Sequence, residues 1–588
     1  MKKNSSFFLL LILAILVALV GLALVIPAFL PYGTLKYLAD LLREDGNFQS
    51  LKESNALVFR LLLGSTALVL FAAAYCIGSG HLKSVRLWLG RYLNDFIAFI
   101  KALKPSRSER ITLAALLLIL AVAVSFRLVR IYDGMSHDES YTFVVFSSTS
   151  LLNTLINYQL PNNHVLNSLL IFFSTHLFGI QPWAVRLPAF LAGLLLIPAT
   201  YALAKTVYDR YTALISALLM AILPGAILYA TTARGYSLVA LFTVLTLWLA
   251  NFLRRSKNLF AWSLLVLFSA LGFYSVPVFL FPFGMVFVWL FIENLFADPG
   301  EYGSRINFLR YWLLAGLGTA VLVLTLYTPI FIYTGADKVF ANPWVTPDAW
   351  LGFIPSIPGH LLSVWYEWTS GFSPIWAYGL TLGFMIGLVF HRRLTYQRFP
   401  LQIAAFIWIA ILMMVQRPIG VTKIWVFLQA PFLIWCAAGW MGLLKDLRLR
   451  FARNISIAAI VTGVAVLIAA AGAIRAVPDI PRRWAVKGPV EDTVLFVKDK
   501  LEPRDLIIVD APYDASFWYY SRLYGLTDSR FDQRLPFDHL FVIVSHSDNQ
   551  TVSSVLKDRG PEAASVDPGA ARFIMNFQYL DTYLLPHR

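Results

Sequence analysis

The chain has 588 residues, 58% of them hydrophobic, and its mean hydropathy of +0.67 is far above that of a soluble globular protein. This composition excludes a wholly soluble protein and fits a polytopic membrane protein. The net charge of +15 does not indicate nucleic-acid binding, because basic cytoplasmic loops and anionic lipid headgroups account for it.

The apolar runs of the chain predict its membrane spans. A span needs roughly 20 apolar residues. The first run follows MKKNSS and is longer than the apolar region of a typical signal peptide, so we interpret it as an uncleaved anchor. About 13 runs qualify as spans. They fall at 7–29, 56–79, 111–129, 187–205, 212–230, 237–253, 259–276, 278–295, 311–331, 376–390, 400–416, 423–442 and 455–475.

One stretch, HVLNSLLIFFSTHLFG at 164–179, decides the orientation of the later spans. It is short and contains His164, Asn167 and His176. If it does not span, the basic loops fall on the same side as the N-terminal MKK, as the positive-inside rule expects. We therefore predict a short helix that lies at the outer surface or re-enters, with the N-terminus inside and the C-terminus outside.

This orientation predicts three regions. Residues 1–110 contain two N-terminal membrane helices and a basic cytoplasmic loop, and residues 111–475 form the main transmembrane domain. A large external loop covers 131–186, and a second one, rich in Pro and Trp, covers 332–375 and suits a lid or interfacial cover. Residues 476–588 are less apolar and are predicted to form a small α/β domain outside the membrane.

The α/β prediction for the last region rests on alternating patterns. Stretches typical of buried strands alternate with stretches of helical period. In chain order they are EDTVLFVKDKL (helix), DLIIVDAP (strand), SFWYYSRLYGL (helix), FVIVSH (strand) and TVSSVLKDRG (helix).

The stretch SHDESYTF at 136–143 contains the first candidate catalytic residues. Asp138 and Glu139 follow an apolar run closely, and carboxylates at a membrane border are usually functional, although a solvated acidic pair in a loop is the plain alternative. Such a carboxylate can act as a general base towards a hydroxyl or can hold a divalent cation. The two side chains need not point the same way, so one can react while the other orients it. Tyr141 is a candidate substrate contact.

A second polar motif is PNNHVLNSLL at 161–170. Asn162, Asn163 and His164 can donate and accept hydrogen bonds, as recognition of sugar hydroxyls requires. The alternative is an asparagine helix cap beside an interfacial histidine.

Cations at the outer ends of spans are exceptions to the positive-inside rule. TTARGYSL contributes Arg234, with Tyr236 beside it, and QRPIGVTKIW contributes Arg417 and Lys423. They can bind an anionic phosphate or can snorkel to lipid headgroups, and Arg186 in WAVRLPAF can do either. We interpret two further arginines, Arg127 and Arg130, as snorkelling side chains.

Together these groups indicate transfer of a group from a lipid phosphate to a hydroxyl. The cations would stabilise the charge that develops on the leaving phosphate, and the carboxylate would take the proton of the acceptor. Cys76 and Cys436 lie in apolar runs, so the cysteines predict neither a disulfide framework nor a metal cluster.

The order of these elements resembles the GT-C superfamily of polytopic glycosyltransferases. It is most similar to the protein O-mannosyltransferases and the lipid A aminoarabinose transferase. The matching features are Asp-Glu in SHDESY, the polar motif with its short helix, and the VR that begins the span WAVRLPAF, within roughly 111–250. A looser match continues through 423–442. The motif PNNH and Lys423 depart from the pattern, since relatives often have Lys-Pro or Pro-Pro at the first and Arg at the second.

The resemblance implies a polyprenyl-phosphate sugar as donor, inversion at the sugar carbon, Asp138 as base and Glu139 in support. It implies a hexosyl- or pentosyltransferase in the plasma (inner) membrane, with an extracytoplasmic site and a lipid, glycan or protein acceptor. No cofactor follows from it, and a divalent cation, Mg²⁺ or Mn²⁺, is left open.

Two other classes are alternatives. A secondary transporter favours charges within spans and internal pseudo-symmetry, but the predicted spans are almost uncharged and the halves look unalike. A membrane scaffold would concentrate its work in residues 476–588.

Overall fold

The computed structural model describes most of the chain as a helical bundle followed by a small domain of sheet and helices. The described residues are 2–41, 53–78, 82–104, 110–160, 162–340, 347, 349–369, 374–395, 397, 399–417, 421–451, 456, 463, 488–532, 535–557 and 566–586. The predicted span 455–475 and the predicted boundary at residue 476 lie outside them.

In the described part of the chain, the bundle contains 21 α-helices. They are α1 Lys2–Phe29, α2 Tyr32–Leu41, α3 Glu53–Gly78, α4 Leu82–Leu103, α5 Arg110–Leu128, α6 His137–Tyr141, α7 Leu151–Ile156, α8 Val165–Phe178, α9 Pro182–Val207, α10 Arg210–Ile222, α11 Pro224–Ala230, α12 Tyr236–Leu253, α13 Leu259–Ser275, α14 Leu280–Phe296, α15 Arg305–Tyr333, α16 Asp337–Phe340, α17 Trp350–Thr369, α18 Pro374–Val389, α19 His391–Leu394, α20 Leu401–Gln416 and α21 Gln429–Phe451.

The structure confirms a polytopic helical membrane protein and revises the number of spans. Within the described residues, six helices are long and apolar enough to cross a membrane, or up to eight if each of two bent helix pairs is one span. The six are Arg110–Leu128, Pro182–Val207, Tyr236–Leu253, Pro277–Phe296, Arg305–Tyr333 and Thr422–Leu447. The predicted number of about 13 is higher because it also counts shorter apolar runs and the run 455–475, most of which lies outside the described residues. Several of the other runs form apolar helices of 10–17 residues.

Burial separates central from peripheral helices. The apolar window of α12 is 83% buried, whereas those of α5 and α15 are 28% and 22% buried. Exposed leucines on the two outer helices, such as Leu117 and Leu314, suit contact with lipid. The middle of the bundle, where α9, α10 and α12 pack together, is therefore the core on which the site is built.

The interpretation of Arg127 as a snorkelling side chain is wrong. Arg127 is fully buried, and its guanidinium donates hydrogen bonds to the carbonyl oxygens of Ala123, Met220 and Ala221. The last two carbonyls lie at the end of α10, where a helix leaves its final C=O groups without partners. Arg127 therefore joins α5 to the end of α10.

The predicted external loop 131–186 is folded. It contains α6, a π-helical turn at Thr142–Ser147, α7 and α8, and α8 packs on α9. The capping box at Ser136 starts α6, because the Glu139 side chain returns to the Ser136 backbone N–H.

The predicted small α/β domain is confirmed in the last part of the chain. Its four-stranded sheet has the order β1-β2-β4-β3, with β1 parallel to β2 and the other pairs antiparallel. Its elements are α22 Pro489–Lys500, β1 Leu506–Val509, α23 Asp514–Leu523, β2 His539–Ser545, α24 Val552–Lys557, β3 Arg572–Phe577 and β4 Leu580–Pro586. The fully buried pattern of β1 explains the uninterrupted apolar run LIIV.

Candidate active site

Glu139 is the buried member of the acidic pair. Arg186 grips it with two hydrogen bonds, Nε to Oε1 at 2.8 Å and Nη2 to Oε2 at 3.0 Å. The backbone N–H of Ala233 also donates to Oε1, and the N–H and hydroxyl of Ser136 donate to Oε2. Both oxygens are therefore occupied, and Glu139 ties α6, the start of α9 and the loop before α12 together.

Arg186 is committed to the protein interior as well. It is 2% exposed, and besides Glu139 it donates to the carbonyls of Ile131, Asp133 and Gly134. These contacts fix the chain immediately before α6. The geometry favours a role for Arg186 in shaping the acidic loop, with Glu139 as the compensating charge.

Asp138, the preceding residue, is the partly exposed member of the pair. Its side chain is 39% exposed, and Lys423 Nζ donates to Asp138 Oδ2 at 2.8 Å across 285 residues of sequence. Lys423 lies in the 3-10 segment Thr422–Leu428, directly before α21. Successive residues of a helical turn point about 100° apart, which explains how one carboxylate is buried and its neighbour is wet.

Arg234 adds a second cation beside this pair. It is 4% exposed, and its Nη1 donates to Thr142 Oγ1 and to the Asn162 carbonyl, both at 3.0 Å. Thr142 in turn donates to the Asp138 carbonyl. The Nε of Arg234 is buried without a hydrogen-bond partner. Arg234 thus places its positive charge in the neighbourhood of Asp138.

The polar motif contributes His164 to the same cluster. The Gly235 N–H donates to His164 Nδ1 at 2.8 Å, and Arg234 Nη2 lies 3.3 Å from Nε2. A Cβ at position 235 would approach His164 Cβ and the Ser275 carbonyl oxygen to 3.1 Å, so glycine suits this position. Tyr236 stands edge-on to the imidazole, with ring centroids 4.9 Å apart.

Two other predicted site residues, Asn163 and Arg417, make their contacts outside this cluster. Asn163 is buried. Its side-chain nitrogen donates to the carbonyls of Thr154 and Asn157, and its amide oxygen accepts a hydrogen bond from the Ser168 hydroxyl. Asn163 therefore organises the loop. Arg417 lies over the ring of Trp350 at 5.0 Å. Within the described part of the chain, no hydrogen bond joins Arg417 to the other predicted site residues.

Sequence reasoning missed several residues at this site. The His137 imidazole lies between Asp138 and Asp514 of the C-terminal domain, with Nδ1 4.0 Å from the first carboxylate and Nε2 3.1 Å from the second. Glu367 on α17 accepts hydrogen bonds from the hydroxyls of Tyr229 and Thr422. Only His137 had a sequence signal, its position beside Asp138.

These surroundings shift the proton affinities of the cluster. The neighbouring His137 imidazole, together with Arg234 and Lys423, holds the pKa of Asp138 well below its usual range. The two carboxylates around His137 raise its pKa to about 9, so the imidazole is cationic at neutral pH. Burial would raise the pKa of Glu139, but Arg186 and the N–H donors bring it below its usual value. Burial and the nearby cations lower the pKa of His164 well below its usual value.

The carboxylate and imidazole groups of the protein indicate where a divalent cation could bind. Because both Glu139 oxygens are occupied, Asp138 and Glu139 do not offer two free carboxylates to one ion. A different group, Glu502, Asp505 and His539, has donor atoms within 4.8 Å of one another. It lies at the beginning of β1 and β2 in the C-terminal domain, and carboxylate and imidazole donors of this kind suit a divalent cation.

Two comparisons relate the chain to known proteins. The crystal structure of apo ArnT from Cupriavidus metallidurans aligns over 80% of this chain and 97% of that protein, at 14% identity and a TM-score of 0.52. The same protein bound to undecaprenyl phosphate aligns with a TM-score of 0.51 at 13% identity, over the same shares of both chains. The chain has the GT-C fold. Residues 163–309 also match the family model of dolichyl-phosphate-mannose-protein mannosyltransferases.

The matched range includes His164, Arg186 and Arg234, whereas Asp138 and Lys423 lie outside it. The apo oligosaccharyltransferase of Archaeoglobus fulgidus aligns less well, with a TM-score of 0.45 at 12% identity over 81% of this chain and 74% of that one. No curated protein sequence matches the chain significantly. The resemblance to the GT-C glycosyltransferases predicted from the sequence is confirmed for the fold, and the family match over residues 163–309 agrees with it.

Proposed function

We propose that this chain transfers a sugar from a polyprenyl-phosphate donor to an acceptor hydroxyl at the extracytoplasmic face of the membrane, with inversion. The observation that carries the proposal is the contact of Asp138 with Lys423, beside Arg234. A carboxylate and two cations from three distant segments converge where a lipid phosphate and a hydroxyl would both need them. ArnT, whose fold the chain shares, has been crystallised with undecaprenyl phosphate.

The chemistry is a single displacement. The acceptor oxygen attacks the anomeric carbon, the bond from that carbon to the phosphate oxygen breaks, and the acceptor proton goes to Asp138. The polyprenyl phosphate leaves with the additional negative charge, which Lys423 and the positive charge of Arg234 stabilise. Attack opposite the leaving group inverts the sugar carbon.

Lys423 links donor binding to the basicity of Asp138. While Lys423 and His137 hold the carboxylate, Asp138 is a weak base, because its pKa is well below the usual range. A donor phosphate would attract Lys423 away from Asp138 Oδ2. The pKa of Asp138 would then rise, so that the base becomes effective only when donor is present.

The remaining polar residues suit binding and alignment. Tyr141 and Asn162 are partly exposed beside Asp138 and Arg234 and can contact the sugar. His164 contacts the Arg234 guanidinium, and Tyr236 packs edge-on against the His164 ring. Arg417, next to the outer end of α20, suits the distal part of the lipid phosphate groove.

The sugar is a hexose or a pentose, and the acceptor a lipid, a glycan or a protein. The folded segment 131–186 and the C-terminal domain form one side of the site, which suits an acceptor that arrives from outside the membrane. If a divalent cation takes part, Asp138 is the carboxylate available to it at this site.

The test is transfer by purified protein in proteoliposomes. Mass spectrometry of co-purified lipid identifies the donor, and release of polyprenyl phosphate measures turnover. We expect Asp138→Asn to lower kcat by at least about 10²-fold while the protein still folds and inserts, since general-base catalysis contributes 10²–10⁴. Asp499→Asn, which neutralises an exposed carboxylate of α22, is the matched control. Full activity of Asp138→Asn would remove Asp138 as the base.

A further inference from the structure

The C-terminal domain docks directly on the acidic loop. Ser516 on α23 donates to the Met135 carbonyl at 3.1 Å, and the Met135 N–H donates to Tyr520 Oη at 2.9 Å. Ser140 of α6 lies 3.4 Å from the Ser516 hydroxyl. These contacts are buried on both sides of the interface. The residues immediately before Asp138 are therefore held by another domain.

The same interface supplies the second partner of His137. Asp514, in the first turn of α23, lies 3.1 Å from His137 Nε2, and the other ring nitrogen faces Asp138 at 4.0 Å. All three side chains are partly exposed, between 34% and 44%. The Tyr141 ring stacks on the imidazole, with centroids 5.9 Å apart. His137 thus has a carboxylate at each nitrogen and a ring against its face.

Charges alternate along this row. Asp514 is an anion, His137 a cation, Asp138 an anion and Lys423 a cation, and Arg234 acts on Asp138 from the third side. Each inner member is stabilised by the members next to it. Removal of the terminal Asp514 weakens the hold on His137, and Asp138 then depends on the lysine that the donor phosphate also attracts.

We propose that Asp514 is a positioning residue for sugar transfer: the C-terminal domain uses it to hold the His137 imidazolium against Asp138, and so completes the active site. This inference rests on the proposed function for its catalytic consequence. The C-terminal domain is then a structural part of the transferase centre, because without it the base keeps neither its orientation nor one of its two nearest cations.

The catalytic test uses the full chain in proteoliposomes. We expect Asp514→Asn to lower kcat about tenfold or more with little change in donor KM, since Asp514 does not contact the phosphate. The alkaline limb of its pH–rate profile should move to lower pH, because a His137 with one carboxylate partner loses its proton sooner. Asp514→Glu should restore part of the rate, and Asp499→Asn should behave as wild type. An unshifted alkaline limb together with wild-type kcat would overturn the proposal.

A second measurement is independent of any substrate. The pKa of His137 is raised from 6.5 to about 9 by its partners in the folded protein, so the contact adds stability below pH 6.5 that is lost as the pH rises towards 9. Thermal unfolding of wild type and Asp514→Asn should therefore differ most at pH 6 and converge near pH 9.5. A pH-independent difference, or none, contradicts the contact.

The two measurements separate the possible failures. If the wild-type protein transfers no sugar from any polyprenyl phosphate, the proposed function fails while the unfolding comparison still tests the Asp514–His137 contact. If transfer occurs and Asp138→Asn abolishes it, but Asp514→Asn changes neither the pH profile nor the unfolding curve, only the role of Asp514 falls.

Discussion

At the scale of single residues, the site depends on the different surroundings of two adjacent carboxylates. Glu139 is 3% exposed and fully hydrogen-bonded, whereas Asp138 reaches solvent and Lys423. The sequence analysis expected one to react and the other to orient it, and the geometry suits that division. Arg186 offsets the free-energy cost of burying Glu139, because a buried carboxylate needs both a counter-charge and hydrogen bonds to its remaining lone pairs.

We expect Glu139→Gln to destabilise the protein by about 3–5 kcal/mol, because it leaves the Arg186 guanidinium buried without its counter-charge. The measurement is thermal and denaturant unfolding in detergent, together with the yield of folded protein. Asp499→Asn, at an exposed position of α22, is the control and should stay within about 0.5 kcal/mol. A loss of activity with unchanged stability would instead indicate that Glu139 contacts substrate.

A second substitution tests how Lys423 acts on Asp138. In Lys423→Met the carboxylate loses a cation, so its pKa rises and the acid limb of the pH–rate profile should move to higher pH. The KM for donor should increase and kcat should fall about 10²-fold, since one group that stabilises the leaving phosphate is lost. Lys423→Arg keeps the charge and should retain the wild-type acid limb. A profile of Lys423→Met that matches wild type would exclude the coupling.

Residue type alone predicted part of this cluster. Asp138, Arg234 and Lys423 attracted notice because charges next to apolar spans are rare, and the structure brings them together. Asp514 and Glu367 could not be found in this way, because each belongs to the site only through its contact with a residue more than 100 positions away in the sequence. Arg127 was misread for a related reason: two of its three carbonyl partners belong to another helix.

At the scale of elements, apolar period located the helices but did not show how closely they approach. The sequence assigned 332–375 to an external loop, whereas residues 350–369 form α17, which contains Pro355 and Pro358 and packs on α11 and on the segment that contains Lys423. Proline is read as a helix breaker, so the pattern indicated a loop. An apolar helix over the cluster agrees with the expected role as a cover.

Close approach between α18 and α21 depends on glycine. A Cβ at Gly387 would lie 2.6 Å from the Trp435 carbonyl oxygen, whereas a Cβ at Gly379, two turns earlier on α18, meets nothing within 4 Å. We expect Gly387→Ala to lower the unfolding temperature and activity, because α21 continues from the segment that contains Lys423. Gly379→Ala should be neutral or slightly stabilising, since alanine favours a helix by about 1 kcal/mol over glycine. Equal effects of the two substitutions would contradict this packing.

At the scale of the whole molecule, sequence reasoning was most reliable for class and order. A mean hydropathy of +0.67 excludes a wholly soluble protein, and alternating patterns were sufficient for β1, β2 and their helices. The final strands, β3 and β4, were not predicted because their side chains are mostly half-buried or exposed and show no uninterrupted apolar run. The predicted spans outnumber the long apolar helices of the described residues because hydropathy also registers runs that form apolar helices of only 10–17 residues.

The orientation in the membrane is the largest prediction that a direct experiment can test. Since α23 contacts the loop before Asp138, the C-terminal domain and the site lie on one side of the bundle, and the positive-inside rule predicts the extracytoplasmic side.

Ser553→Cys, at an exposed position of the C-terminal domain, should react with a membrane-impermeant maleimide in intact cells. Lys257→Cys, in a basic loop, should react only after permeabilisation, and the wild-type chain gives the background from its own cysteines. Labelling of Lys257→Cys in intact cells with protection of Ser553→Cys would reverse the orientation and move the site to the cytoplasmic side, where an extracytoplasmic acceptor could not reach it.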